Sequence, residues 1–127
     1  MLAVFAVFTG AGLGALLRWG LGITLNPLFP TLPLGTLAAN LLGGLLVGFA
    51  IAWLSRHPGI PPEFRLFLIT GFLGGLTTFS TFSAEVVTLL ARAEYAWGLA
   101  AIAAHLSGAL LLTAAGMFLA NLVMARA

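Results

Sequence analysis

The sequence has very few charged residues and no cysteine. Charged side chains make up 6% of its 127 residues, whereas they make up about 25% of an ordinary soluble domain, so they are too few to form a soluble surface. The absence of cysteine excludes disulfides, thiolate metal ligands and thiol chemistry. Five arginines and no lysine carry the positive charge. Because these arginines are scattered along the chain, nucleic acid is not an expected partner.

Hydrophobic residues, by contrast, make up 61% of the chain and form four long stretches within one domain, residues 1–127. Each stretch is long enough to cross a hydrocarbon core of about 30 Å as a helix. No basic segment precedes the first stretch, so we expect a retained helix and not a cleaved signal peptide. All six prolines fall in the connections, and we expect none inside a helix. The sequence predicts an all-α integral membrane protein with transmembrane helices at Leu2–Leu25, Gly35–Leu54, Phe64–Leu90 and Tyr95–Met124.

Arginines are almost evenly divided between the two sides of the membrane. With four helices, Arg56, Arg65 and Arg126 lie on the side of the termini, and Arg92 and Arg18 lie on or near the other. Orientation follows the Lys/Arg difference between short loops, and three against two is almost no difference. Two interpretations stay open. A weak bias fixes one orientation, or the chain inserts both ways and opposed copies pair as an antiparallel dimer.

Three pairs of glycines are spaced four residues apart, a spacing that lets helix backbones approach closely in lipid. Such pairs can pack the helices of one chain together or join two copies of the chain. We expect at least one pair to act within the chain, and the sequence leaves the others open. The pairs are Gly10 and Gly14, Gly44 and Gly48, and Gly71 and Gly75.

Polar residues on three helices are expected at one depth in the membrane. Arg18, Asn40 and Glu85 each lie about five to seven residues from the same end of their helices, roughly 8 to 10 Å inside that boundary. An ionisable group at such a depth is costly without a partner or a water-filled cavity. We therefore favour an Arg18–Glu85 pair, or a vestibule that both share, over separate side chains that reach the headgroups.

The segment GGLTT, residues 74–78, falls at the centre of the third helix. Glycine is a poor helix former and hydroxyls compete for backbone hydrogen bonds, so the helix could break here. A break at this depth would expose carbonyl oxygens, near Gly74 and Thr77, that suit a hard cation. A continuous helix whose glycines pack against a neighbour is the simpler interpretation of these residues alone.

The segment FSTF follows directly. Phe79 and Phe82 are three apart and share a face, while Ser80 and Ser83 share another. Aromatic residues at this spacing commonly serve packing only. A ring nevertheless has a positive edge, so two rings whose edges line a narrow path would attract a small anion weakly, and hydroxyl or amide donors between them would replace its hydration.

Three motifs in order resemble those of the Fluc family of fluoride channels, also called the CrcB type. They are GALLR at residues 14–18, GTLAANLLGG at 35–44 and GFLGGLTTFSTFSAE at 71–85, and the likeness covers almost the whole chain. Members of that family are dual-topology antiparallel homodimers with two fluoride pathways and a structural sodium ion at the dimer centre. The resemblance therefore implies an antiparallel homodimer, and it favours a third helix that is broken near its centre.

The resemblance also implies roles for individual residues. Backbone carbonyls of Gly74 and Thr77 from both subunits would hold the sodium ion. The pathway would be lined by the ring edges of Phe79 and Phe82, with Ser80, Thr81 and the donor amide of Asn40, and Arg18 and Glu85 would lie at the vestibule. The fourth helix departs from the pattern: Ala101 and His105 stand where members often carry tyrosine and serine, with Ser107 nearby. His105 is either a packed residue bonded to a neighbour or a pore-lining donor, and we keep it as a pathway candidate.

The implied function is passive, electrogenic export of fluoride by a multi-pass protein of the cell inner (plasma) membrane. The expected partners are fluoride, membrane lipid and a second copy of the chain, and the expected cofactor is a structural sodium ion. Enzyme activity is not expected, because His57 and His105 lie on a loop and a helix and have no metal-ligand spacing or nucleophile and base arrangement.

Two other functions are kept as alternatives. A proton-coupled small multidrug transporter also has four helices, but it needs a central membrane carboxylate, typically in its first helix. Here that helix carries only Arg18, and Glu85 is off-centre. A noncatalytic membrane anchor subunit would leave the polar run of the third helix unexplained.

Overall fold

A computed structural model describes residues 1–126, and its regular elements are all helical. Four helices are long and apolar enough to cross a membrane. The third of them, the third span, runs from Pro62 to Ala91 and consists of several pieces. The α-helices are α1 (Leu2–Leu25), α2 (Leu34–Ser55), α3 (Pro62–Arg65), α4 (Gly74–Leu76), α5 (Phe79–Ala91) and α6 (Tyr95–Arg126); Asn26–Leu28 forms a 3₁₀ turn and Leu66–Leu73 is π-helical.

The predicted helix bounds agree closely with the observed ones. The first helix has the predicted ends, the second is one residue longer at each end, and the last extends to Arg126. The expectation that no proline lies in a helix was wrong: Pro27 lies in the 3₁₀ turn and Pro62 opens α3. Proline is tolerated at a first helical position because its missing N–H would have no partner there.

The surface of the bundle is apolar, and many of the side chains in its interior are small. Large side chains face outward, with Phe8 78% and Leu111 70% exposed, while Ala39 and Ala120 are fully buried. Leu76, just before the middle of the third span, is the largest side chain that is fully buried in the described part of the chain. This distribution suits a lipid environment, where close packing of small residues holds helices together and apolar side chains need no burial.

All three glycine pairs pack within one chain. The glycines of α1 and of the third span face one another, and those of α2 face α6. A Cβ atom on Gly71 would lie 2.8 Å from the Val7 carbonyl oxygen, and one on Gly44 would lie 2.9 Å from the Ala109 carbonyl oxygen. Both distances are shorter than a methyl group tolerates, so the absence of a side chain at these glycines permits the close approach of the helices. The glycine pairs therefore act in packing within the chain and not in contacts between two copies.

Apolar clusters lie on both sides of the middle of the third span. The first contains Leu54, Leu73 and Leu76, and the second contains Val86, Leu89 and Ala101. The polar residues of the third span lie between these clusters in the sequence, so packing on either side fixes the segment that carries them.

Candidate functional site

The third span is interrupted between α4 and α5. Thr77 has φ −83° and ψ 154°, and Thr78 has φ −149° and ψ 114°, so both residues are extended. Helical geometry resumes at Phe79, where the Thr78 hydroxyl accepts a hydrogen bond from the Thr81 N–H and caps α5. Threonine at this position is a favourable N-cap, because its side chain replaces one of the missing backbone partners.

Asn40 of α2 holds the interruption. Its Oδ1 accepts from the Thr78 N–H at 2.7 Å, and its Nδ2 donates to the Thr78 carbonyl at 3.0 Å. The same Nδ2 lies 3.0 Å from Nδ1 of His105 on α6. One side chain therefore satisfies both backbone groups of an extended residue and connects α2, the third span and α6.

Carbonyls in the interrupted segment lose the partners that a continuous helix would provide. The Thr78 N–H would bond to the Gly74 carbonyl but bonds to Asn40, and the Thr81 N–H would bond to the Thr77 carbonyl but bonds to the Thr78 hydroxyl. The Gly75 carbonyl instead accepts from Arg18 Nε at 3.0 Å. Gly74 and Thr77, the residues expected to bind sodium, are thus among those whose carbonyls lose a helical partner.

An open cavity of about 400 Å³ lies beside the interruption, and we call it the central groove. Its aromatic wall is Phe79 and Phe82, whose ring centroids are 5.6 Å apart at 64°, an edge-to-face arrangement. The ring of Phe82 also lies 4.5 Å from that of His105. Phe79 is 77% exposed in the single subunit. The groove is lined by Asn40, Gly43, Gly74, Thr77, Thr78, Phe79, Phe82 and His105, with apolar residues of α2 and α6.

The hydroxyl groups of this region fall into two sets. The Thr78 hydroxyl contacts two others, at 3.0 Å from that of Thr81 and 3.3 Å from that of Ser80. Ser83 and Ser107 instead donate to carbonyls of their own helices, at Phe79 and Ala103. The hydroxyls of Thr78, Ser80 and Thr81 thus form a local cluster, while those of Thr77, Ser83 and Ser107 each donate to a carbonyl one helical turn earlier.

The expected Arg18–Glu85 pair is not formed. Within residues 1–126, Arg18 donates to the Gly75 carbonyl, and Glu85 Oε1 accepts from the Thr36 hydroxyl at 2.6 Å. Arg18 lines one cavity with Thr36 and Thr78, and Glu85 lines another beside it. Thr81 belongs to both cavities, so the two charged residues occupy adjacent and separate vestibules. Because the third span is interrupted, the Gly75 carbonyl is available to Arg18 and lies nearer than the Glu85 carboxylate.

Most of the predicted site residues lie together, and the site also contains Thr36 and Thr78, which were not predicted. The central groove contains Asn40, His105, both phenylalanines and the two proposed sodium ligands, and the hydroxyl cluster contains Ser80 and Thr81. Thr36 lies one helical turn before Asn40 and is 5% exposed, a spacing that places both on one face of α2. A search for polar residues one turn from Asn40 would have found Thr36, and N-cap preference would have singled out Thr78.

These features define a class: a multi-pass membrane protein with four apolar spans, whose third span is interrupted beside a groove that contains both polar and aromatic residues. The chain belongs to the CrcB family, described as "CrcB-like protein, Camphor Resistance (CrcB)". The sequence model of that family matches residues 5–117.

Curated relatives match over nearly their whole lengths. A protein of Nitrosospira multiformis is 64% identical over 115 residues, which cover 91% of this chain and 90% of the relative. Relatives in Burkholderia cenocepacia, at 58% identity, and Pseudomonas paraeruginosa, at 56%, each cover 98% of both chains. All three are named fluoride-specific ion channel FluC. A family whose members are named as channels fits a protein that is not an enzyme.

Proposed function

We propose that this protein is a fluoride-selective channel that conducts fluoride passively and electrogenically. The observation that carries the proposal is the 56–64% identity, over nearly the whole chain, to relatives named as fluoride-specific channels. A membrane potential of 100 mV is worth about 2.3 kcal/mol per elementary charge, which corresponds to roughly a 50-fold concentration ratio. In the inner (plasma) membrane, the potential alone would expel fluoride that forms inside the cell when the neutral acid enters and dissociates.

The proposed path runs past the first turn of α5, which carries Phe79, Ser80, Thr81 and Phe82. The edge-to-face rings present positive edges, and the hydroxyl cluster next to them offers donors in place of water. A row of weak contacts suits conduction, because an ion that is held at several weak sites can also leave. Arg18 and Glu85 belong to the vestibules at one end of this path.

We also propose that the carbonyls of Gly74 and Thr77 hold a structural sodium ion. The donor set fits: both are oxygen ligands without a helical partner, and both residues line the central groove. When bound, the ion would supply positive charge that balances these carbonyl dipoles. Thermal unfolding in sodium, compared with a bulky organic cation, is the measurement for this site.

The subunit is proposed to form an antiparallel homodimer across the central groove. In a single subunit Gly74 and Phe79 of the groove are exposed, as is the neighbouring Ser80. Irregular backbone with free carbonyls is not tolerated against lipid. A partner in the opposite orientation would cover the groove and add its own Gly74 and Thr77. The nearly balanced arginines permit insertion in both orientations.

The dual orientation predicts half labelling at either side of the membrane. Because the chain has no cysteine, Glu94→Cys and His57→Cys each introduce one thiol, in loops on opposite sides. In spheroplasts, an impermeant maleimide should label about half of each variant, and the rest only after permeabilisation. Complete labelling of one variant together with none of the other would contradict the antiparallel arrangement.

The proposed activity predicts rapid and selective fluoride efflux. Liposomes that contain the purified protein and potassium fluoride should lose fluoride to an external electrode once a potassium ionophore removes the opposing voltage. Matched liposomes loaded with chloride should lose little, and neither should lose much before the ionophore is added, because the flux carries charge. Well-folded protein that gives equal fluoride and chloride loss, or none, would sink the proposal.

A proton-coupled cation transporter has no comparable support in the site. Glu85 accepts a hydrogen bond from Thr36 in a cavity separate from the central groove, and α1 contains no carboxylate. The same liposomes provide the comparison, since such a transporter would move protons against a cationic substrate and leave fluoride behind.

A further inference from the structure

Gly43 of α2 lies directly against Thr77, the first extended residue of the interrupted segment. A Cβ atom added at Gly43 would overlap the methyl carbon of Thr77, and the next nearest atom would be Thr77 Cβ at 3.6 Å. Outside α2, no other described residue comes within 4 Å of that position. The missing side chain of Gly43 therefore leaves a space that the Thr77 methyl group fills.

The Thr77 side chain is held in this position by its own hydroxyl group. The hydroxyl donates to the Leu73 carbonyl at 2.8 Å, and the Thr77 N–H donates to the same carbonyl at 3.0 Å. A β-branched side chain has few allowed rotamers, so turning the methyl group away from Gly43 would also break the hydroxyl bond. The placement of the methyl group is thus tied to the hydrogen bonds that end α4.

Asn40 and Gly43 lie one helical turn apart on the same face of α2, and they contact consecutive extended residues. Asn40 bonds to both backbone groups of Thr78, while Gly43 contacts the side chain of Thr77. An extended segment in the middle of a membrane span lacks the regular bonds of a helix and depends on its protein surroundings. This face of α2 therefore supports the interruption at both of its residues.

We propose that Gly43 is a positioning residue for the cation site, because the space beside it seats the Thr77 methyl group and so fixes the Thr77 carbonyl. The inference rests on the proposed function, which supplies sodium as the ion. Gly43, Gly74 and Thr77 all line the central groove. A methyl group at Gly43 would push the Thr77 backbone away from α2 or turn its side chain. Either change moves a proposed ligand, and groups that orient ligands affect metal affinity strongly.

A methyl group that is moved from one side of this contact to the other tests the proposal. Gly43→Ala adds a methyl group that overlaps that of Thr77, whereas Gly43→Ala combined with Thr77→Ser removes the overlap and keeps the hydroxyl. The nearest remaining contact would then be the ordinary one of 3.6 Å to Cβ. We expect Gly43→Ala to raise the apparent dissociation constant for sodium at least about tenfold, and the double variant to restore most of the affinity.

Thermal unfolding of the purified protein across a sodium chloride series gives these constants, since a ligand that binds the folded state raises Tm. N-methylglucamine chloride keeps the ionic strength constant. Should Gly43→Ala fail to fold, the double variant still decides the question, because it is expected to fold and to respond to sodium. Loss of the sodium response in both would overturn the proposal, since the Thr77 methyl group would then not be the obstacle.

Two other glycine variants separate this effect from helix packing. Gly44→Ala introduces the same methyl group at the next position, 2.9 Å from the Ala109 carbonyl oxygen, so it should lower Tm in both salts and keep the sodium response. Gly12→Ala, with nothing in the described chain within 4 Å of the added Cβ, should bind sodium as the natural protein does. If Gly44→Ala weakened sodium binding as much as Gly43→Ala, the effect would be one of general packing and the proposal would be wrong.

Fluoride efflux from liposomes keeps this inference distinct from the proposed function. If sodium stabilises the natural protein and Gly43→Ala binds sodium equally well, only the role of Gly43 is wrong. If the natural protein conducts fluoride but does not respond to sodium, the cation site and this inference fail together while the channel remains. If it conducts no fluoride, the proposed channel function is wrong, and the sodium series still decides the role of Gly43.

Discussion

Replacing Asn40 with leucine is expected to abolish fluoride conduction and the stabilisation of the protein by sodium. Leucine has a similar shape but cannot bond to the Thr78 N–H, the Thr78 carbonyl or His105 Nδ1. Each partly buried group left without a partner costs about 1–3 kcal/mol, so the extended segment loses the interactions that hold it open. The Thr78 N–H would return to the Gly74 carbonyl, and a closed helix would remove one of the proposed sodium ligands.

Thermal unfolding of purified protein in sodium chloride and in N-methylglucamine chloride measures the effect on the cation site. The natural protein should unfold at a higher temperature in sodium, because a ligand that binds only the folded state stabilises it. Asn40→Leu should unfold at a lower temperature in both salts, with no difference between them. Asn121→Leu is the matched control, since Asn121 contacts Arg56 at the exposed end of α6. If Asn40→Leu kept both the sodium effect and the fluoride flux, the bracing role of Asn40 would be refuted.

The bounds of the helices could be predicted because the apolar stretches are long and the prolines fall near their ends. The observed first helix has the predicted limits, and the small deviations at Pro62 and Arg126 follow from the tolerance of helix ends. The π-helical geometry of Leu66–Leu73 could not be predicted from the composition of that segment. Its surroundings include the close contact of Gly71 with α1, which depends on two helices at once and cannot be derived from either alone.

The candidate site was predictable in membership but not in connectivity. Counting residues from the helix ends placed Arg18, Asn40 and Glu85 at one depth, and complementary charge then suggested a pair. The extended residues Thr77 and Thr78 change the available acceptors, because they leave the Gly75 carbonyl for Arg18 and the Thr78 backbone for Asn40. Depth can be read from a sequence, whereas a hydrogen-bond partner depends on which backbone groups a neighbouring helix has left free.

Changing both Phe79 and Phe82 to isoleucine is expected to slow fluoride efflux by on the order of a hundredfold. Isoleucine stays apolar but has no ring edge, so an anion in the narrow path would lose two weak contacts of about 1 kcal/mol each, as well as the shape of the wall. Efflux from liposomes is the measurement. Phe8→Ile and Phe118→Ile make the same chemical change at exposed positions of α1 and α6, away from the groove, and should conduct normally. Equal loss in these controls would show that isoleucine acts through general packing.

The single variants test where the path lies, because the two rings differ in their surroundings. Phe82 packs against His105 and the second apolar cluster, so Phe82→Ile should lower both stability and flux. Phe79 is 77% exposed in its own subunit, so Phe79→Ile should leave the packing of that subunit unchanged. A loss of flux in Phe79→Ile, without a loss of thermal stability, would mean that the ring acts on the ion at the face between two subunits. Normal flux would instead restrict the aromatic contribution to Phe82 and move the path away from that face.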